Sequence, residues 1–373
     1  MKKDNMNTIS RICACIYLVV FCLTSACAKL VITKTTCNYQ SGEMAIVEGK
    51  IRVGWQYVDD KGASSLQKSY QIVVHERLTH RLIYDSGNVI SDESQLIEIP
   101  SLSPNQYGYT WKVRIASDSN NHQKGKTRFS SWSKEQVIRV APSNLQSPKW
   151  IGAITKKDAN IPEGRWSNAV FKQDSFKNKW KDVDTLSSKS IILRKEFKTR
   201  KKVVDAIVYV CGLGHYELCI NGIKIGDSEF APLWSEYSKT TYYNVFDVTR
   251  QLQSGNNAIS VLLGNGFFNV QRGSRYSKLQ TSFGPPQLFF RMDITYNDHS
   301  TEQIVSDTSW KWDFSPITFN SIYGGESYDA RLEQLNYNKP GFNDTLWKEV
   351  IIVEGPKGKL RPEITSPVRI MER

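Results

Sequence analysis

Glu326 and Asp329, in the stretch GGESYDAR, are the carboxylates whose spacing best suits paired acid–base work. Two such groups can share a reaction as general acid and general base when their surroundings push their pKa values apart. Gly324 and Gly325 make a flexible approach, and Tyr328 lies between the two acids. The competing reading is a turn whose carboxylates bond backbone amides or Arg331, and short Asp-containing turns favour it. Glu217, Asp227, Glu229 and Glu236 surround a second stretch, residues 214–249, and read as solvated or structural. That stretch is dense in aromatic side chains. Trp234 and Tyr237, three residues apart after Pro232, are candidates for one wall of a sugar site, with Asn221, Asn265 and Phe267 beside it if the strands meet. Flat apolar rings match the C–H faces of a pyranose, and a few placed polar groups bond its hydroxyls. Packing is the alternative for each ring, since Trp and Tyr also fill β-sandwich cores.

The bulk composition narrows the classes. The chain has 373 residues, enough for two or three domains, with 10 Trp and 17 Tyr. Lys and Arg number 49 against 37 Asp and Glu, a formal charge of +12. The lysines are scattered, no arginine-rich run appears, and no nucleic-acid module pattern is present. A basic surface without such a module suits solvent or an acidic polymer. Five His without an H-E-x-x-H, and no C-x-x-C, argue against a metalloenzyme. Of seven Cys, four (Cys13, Cys15, Cys22, Cys27) lie in the first 28 residues; Cys211 and Cys219 either pair or stay as thiols in strands. Lys2, Lys3 and Arg11 precede the apolar run ICACIYLVVFCLTSACA, a pattern expected of an export signal over residues 1–28. Two routes stay open: cleavage at Ala26-Cys27-Ala28, or lipidation of Cys27 as an anchor. The expected location is the periplasm or the cell surface.

The elements that must hold these residues are strands. KIRVGWQYV, SYQIVVHE, RLIYDSG, YTWKVRIAS and QVIRVA alternate with period two and are separated by turn-formers, which predicts a sandwich over 40–141. Its core aromatics are expected to be Trp55, Tyr70, Tyr109, Trp111 and Trp132, and its pattern resembles fibronectin type III. Residues 142–190 lose the rhythm and read as a connector anchored by Trp150, Trp166 and Trp180. Strand candidates resume over 191–335, in a jelly-roll-like, carbohydrate-binding-type β-sandwich. Asn221-Gly222 between YELCI and IKIG predicts a type I′ hairpin, with Tyr216, Leu218 and Ile220 inward. VTRQLQSGNN predicts one short helix ending at Gly255. Residues 336–373 read as the start of a further β region, so the whole chain is expected to be all-β.

Several motifs then converge in order: ILRKEF, YELCINGIKIGD, APLWSEYSKTTYYNVFDVT, GNNAISVLLGNGFFN, IYGGESYDARLE and GFNDTLWKEV. Together they resemble the N-terminal region of bacterial α-L-rhamnosidases, glycoside hydrolase family 78. PKWIGAITKKDANIPEGR is similar to the connector of members from Bacteroides-type bacteria. The resemblance implies a fibronectin-like domain and carbohydrate-binding-like sandwiches ahead of an (α/α)6 barrel that carries the catalytic acids of an inverting hydrolase. No position here matches those acids, so no catalytic residue is carried over. The chain is expected to be a truncated or split forepart, inactive alone, with Glu326, Asp329 and Arg331 shaping the junction to the barrel. The implied partner is a rhamnose-containing polysaccharide, and the basic charge extends this to an acidic pectic one. Some members bind rhamnose with calcium; no D-x-D-x-[DN] run supports that here, and no other cofactor is implied. The alternatives are a free-standing carbohydrate-binding protein and a surface sandwich without a ligand.

Overall fold

Period-two alternation is realised as strand along most of the chain, because one face of each strand finds a partner sheet to bury against. The computed structural model describes residues 30–60, 65–117, 129–145, 147–162, 164–167, 173–270, 279–365 and 367–372. The expected export signal and Cys27 lie outside them. Among the described residues, no helix is long and apolar enough to cross a membrane, and no group of three or more His, Cys, Asp or Glu is placed to hold a metal ion. The described residues divide into two compact units, one drawn from 30–45 and 49–139, the other from 46–48 and 140–372.

The first unit is a β-sandwich. One sheet orders Gln40–Ser41, Leu30–Cys37, Ile51–Asp59 and Ile97–Ile99; the other orders Met44–Val47, Gln136–Val140, Tyr109–Ser117, Gln67–Glu76 and Leu82–Asp85. Trp55 and Trp111 are buried in its core, and each indole N–H finds a buried amide, Gln67 at 2.7 Å and Gln136 at 3.0 Å. Such a partner is what makes a buried Trp tolerable. Trp55 meets Tyr70 edge-on at 5.2 Å. Trp132 departs from expectation: it lies under the Arg114 guanidinium, 4.6 Å from its ring centroid, instead of in the core.

The second unit sets a seven-stranded sheet against a six-stranded one. The first carries Val203–Leu213 and Gln287–Tyr296 at its centre; the second carries Ile191–Thr199, Gly255–Gly264 and His215–Ile220. Val208 and Val210, Phe290 and Met292 from one sheet meet Leu193, Leu218, Val261 and Leu263 from the other in one apolar core. The hairpin forms as the sequence requires, with Asn221 and Gly222 at φ 53° and 83° and Cys219 paired to Lys224. Tyr216, Leu218 and Ile220 are buried while Glu217 is exposed. Cys37, Cys211 and Cys219 are free thiols.

Three expectations are corrected. VTRQLQSGNN forms no helix. Asn257 is buried there, its amide donating to the carbonyls of Gln253 and Gly255 and its oxygen accepting from Gln253 N, which holds a turn instead. The segment 142–190, read as a connector, contributes strand Ile151–Gly152 to the seven-stranded sheet and carries a helix, Asp174–Trp180, missed in a polar stretch. Residues after 335 are likewise built into this unit. Strand Lys348–Glu349 pairs with Lys311 and Trp312, and Lys359–Pro362 runs parallel to Thr240–Asp247. Arg194 pins this tail. It is buried and ion-paired to Asp344 and Glu196, and it donates to the carbonyls of Tyr337 and Lys339.

Candidate functional site

The aromatic stretch becomes an exposed shelf at one end of the second unit. Trp234 and Phe267 stack with ring centroids 5.0 Å apart and planes 16° from parallel. Trp234 keeps 44% of its surface exposed and Phe230 60%. His215 lies between Phe230, at 5.6 Å, and Phe267, at 6.3 Å, and Tyr323 meets Phe267 edge-on at 6.4 Å. An offset-stacked pair adds about 0.5–1.5 kcal/mol beyond area burial, so the two rings hold one another in place.

Each ring is delivered by a locked backbone. Strand His215–Ile220 pairs its first residue with Gly264, which sets His215 beside the bend that carries Phe267. At that bend a Cβ on Gly214 would sit 1.8 Å from the Asn265 carbonyl oxygen, so only glycine allows the two chains to close. Asn265 is buried. Its backbone N–H donates to Asn320 Oδ1 at 2.7 Å, its amide donates to the Ser188 and Asn320 carbonyls, and its Oδ1 accepts from Asn269 at 2.8 Å. Asn320 also belongs to the hairpin Ile317–Ser321 and Gly325–Tyr328, whose turn supplies Tyr323. Trp234 is set by its neighbour: Leu233 N–H donates to Glu363 Oε2 at 3.0 Å. Glu363 also accepts from Asn244, which in turn accepts from the Tyr216 hydroxyl at 2.8 Å.

The surroundings shift several pKa values. Burial pulls the His215 imidazole down from 6.5 to about 4, so it is neutral at pH 7. Burial pushes the Glu363 carboxyl above its usual range, against the lowering pull of Leu233 N–H and Asn244. Sequence reasoning missed both groups. Glu363 has no local signal, since it arrives by a parallel strand from more than a hundred residues away.

Of the five sugar-site candidates, the structure brings Trp234 and Phe267 together, keeps Asn265 in the bend beneath Phe267, and places Tyr237 and Asn221 elsewhere. Tyr237 is buried, edge-on to Phe268 at 5.2 Å and Phe283 at 5.1 Å, on the side of a larger cleft of 1220 Å³. Asn221 lies at the far end of strand His215–Ile220, roughly 20 Å from His215 at strand rise. Its amide donates to the Gln251 carbonyl and Asn257, and its oxygen accepts from Ala258 N, so it serves the hairpin. Asn265 serves the bend, as described. At the other candidate cluster, Asp329 accepts from Arg331 N, Nε and one terminal nitrogen and caps a short 3-10 turn. Those bonds hold its carboxyl down at about 2, the wrong direction for a general acid. Glu326 is exposed on the adjoining strand.

Two family models match. One, for the α-L-rhamnosidase N-terminal domain, covers residues 201–372; the other, for the Rha78A-like N-terminal immunoglobulin domain, covers residues 32–140. The chain belongs to the α-L-rhamnosidase family, as its N-terminal region. It is 30% identical over 347 residues to an α-L-rhamnosidase of Formosa agariphila, a match over 88% of this chain and 35% of that protein. A solved α-L-rhamnosidase from Dictyoglumus thermophilum, 30% identical, superimposes with a TM-score of 0.68 over 91% of this chain and 36% of its own. A Streptomyces avermitilis α-L-rhamnosidase solved with L-rhamnose, 20% identical, shares the fold with a TM-score of 0.71 over 92% of this chain and 47% of its own. The chain thus spans about a third of the length of the curated relatives it matches. The family places the shelf in the rhamnosidase N-terminal domain, while the immunoglobulin model ends ahead of it.

Proposed function

We propose that this chain is the exported, non-catalytic forepart of an α-L-rhamnosidase and that the Trp234–Phe267 shelf contributes carbohydrate binding. The carrying observation is the geometry of Trp234: a tryptophan stacked at 16° on Phe267, exposed, on a backbone fixed by Glu363. A rigid, exposed aromatic plane costs little ordering when a sugar ring stacks on it. The relatives are α-L-rhamnosidases, which makes terminal rhamnose of a polysaccharide the ligand to test first. The hydrolytic acids belong elsewhere in the family's architecture. Inversion needs two carboxyls roughly 6.5–9.5 Å apart, one with a raised pKa. Asp329 is held by Arg331, and the raised Glu363 is spent on Leu233 and Asn244.

The test is calorimetry of the chain with L-rhamnose and with a rhamnose-containing oligosaccharide, beside Trp234→Ala. Binding that falls at least tenfold in the variant supports the shelf. Equal binding by both proteins refutes it, as does heat-silent titration confirmed by unchanged NMR spectra. An aryl α-L-rhamnoside should show no turnover with the chain alone, and turnover abolished by a single carboxylate substitution would overturn the non-catalytic reading.

A further inference from the structure

A second concavity, unrelated to the shelf, opens at the mouth between the two sheets of the same unit. It measures 330 Å³, the lower end of the range for small-ligand sites. Its wall from the seven-stranded side comes from Ala153 and Ile154, just past strand Ile151–Gly152, and from Pro285 and Pro286, just before strand Gln287–Tyr296. From the six-stranded side come Trp312 and Phe314, two residues apart on one strand and edge-on at 5.2 Å. The lining is therefore mostly apolar.

Two lysines interrupt it. Strand pairing fixes the backbone of Lys348, and the end of the 3-10 turn Thr185–Ser188 holds that of Lys189, whose N–H donates to the Leu186 carbonyl. Lys348 is the cross-strand neighbour of Trp312, and Ile191, two residues past Lys189, is that of Phe314. Lys348 Nζ lies 5.0 Å from the Trp312 ring centroid and 5.8 Å from that of Phe314; Lys189 Nζ lies 5.2 Å from Phe314. Both ammonium groups thus converge on one aromatic corner. Neither forms an ion pair with a carboxylate of a described residue, although Lys195, Lys201, Lys224 and Lys311 of this unit all do. The single acid in the lining, Asp184, caps the 3-10 turn Thr185–Ser188 by accepting from Leu186 N at 2.8 Å. Two positive groups against one committed carboxylate leave the mouth net positive.

We infer that this mouth is a binding site for a carboxylate-bearing sugar ring, a hexuronate, whose carboxylate sits between Lys189 and Lys348 while a C–H face rests on the Pro285–Pro286 and Trp312 walls. An apolar lining alone would take a neutral ring, and a bare lysine cluster would take any anion. The combination selects a ligand with both an apolar face and one charge. The larger cleft of 1220 Å³ shares Ile154 and Pro285 with the mouth and carries Lys156, Lys157 and Lys357 beside Glu236 and Glu354, one positive charge in excess. A longer acidic chain has room to continue from the mouth into it. The site uses no residue of the Trp234 shelf, so the two readings fail separately.

NMR titration of the full chain with D-galacturonate, D-galactose and inorganic phosphate tests this. Galacturonate should bind at least tenfold more tightly than either galactose or phosphate, and added salt should weaken it. The double variant Lys189→Gln/Lys348→Gln should lose at least tenfold of that affinity with an unchanged thermal transition. Lys189→Arg/Lys348→Arg should retain it, and Trp234→Ala should bind as the unsubstituted chain does. Galactose or phosphate binding as tightly as galacturonate, no galacturonate-induced shifts, or full binding by the double Gln variant would each overturn the site.

Discussion

His215 converts the shelf's burial into a measurable pH dependence. Its ring lies between Phe230 and Phe267, and burial alone lowers its pKa from 6.5 to about 4. The sign follows from which state binds the proton. Between the two values the unfolded chain protonates this imidazole while the folded chain holds it neutral. The contribution to stability is therefore complete above pH 6.5 and is lost as pH falls from 6.5 through 4. With those two values, linkage gives a loss of about 2 kcal/mol at pH 5 relative to neutrality. That figure is an upper bound, because water reaches one edge of a half-buried ring. Denaturant unfolding of the chain and of His215→Phe, at pH 7.5 and at pH 5, reads the difference directly. Phe cannot titrate, so the variant should lose about 1–2 kcal/mol less than the parent on acidification. NMR gives an independent measure: the imidazole resonance absent from the variant should titrate with a midpoint near 4. Parallel stability losses, or a midpoint at the ordinary 6.5, would show that the ring is solvated and that the shelf does not pack as described.

Arg194→Ala should destabilise the second unit by about 3–5 kcal/mol, since it leaves Asp344 and Glu196 without their buried partner; chemical denaturation checks it, and a cost under about 1 kcal/mol would place the guanidinium in water. Asn265→Ala strands the Ser188 and Asn320 carbonyls and Asn269, and should cost about 1–3 kcal/mol. The same variant should weaken any ligand that Trp234→Ala weakens, because Phe267 follows the bend. Glu363→Gln tests the raised carboxyl. A folded pKa above the unfolded one means the native state favours the protonated form, so stability falls as pH rises past the unfolded value. The variant lacks that loss, and its stability relative to the parent should rise with pH in thermal melts; a constant difference would deny the shift.

What the sequence makes legible here is what short-range chemistry decides. Alternation in HYELCI assigns the inward face correctly, and Asn221-Gly222 specifies the hairpin, because positive φ at both positions is a local demand. The Trp234–Phe267 contact was legible as a proposal, since both residues sit in aromatic stretches next to strands, although those strands belong to different sheets. Its membership was not. Trp234 and Tyr237 are three apart, which would share a face on a helix. The segment is instead an extended loop with a cis Ala231–Pro232 bond, and Tyr237 turns into the packing of Phe268. Asn221, Asn257 and Asn265 look alike in sequence, yet all three spend their amides on backbone groups up to 77 residues away. No window of sequence reports such a partner. The same holds for Glu363, Arg194 and the strand Lys359–Pro362, whose placement depends on which sheet edge is left unpaired after the rest has folded.

That distribution of partners separates the rings of the shelf from the groups that support them. Three segments distant in sequence meet at the shelf, around Tyr216, Asn265 and Tyr323, and each arrives on a polar anchor beneath the rings rather than on the rings themselves. Trp234 and Phe230 lie outermost. Removing an outer ring subtracts stacking area, about 0.5–1.5 kcal/mol of pair energy, while the Asn265 bonds that hold the bend stay in place. Removing an anchor such as Asn265 moves the backbone and takes the rings with it. Affinity and stability should consequently separate in outer-ring variants and fall together in anchor variants, and a Trp234→Ala chain that unfolded as readily as Asn265→Ala would mean that the rings hold the bend instead of resting on it.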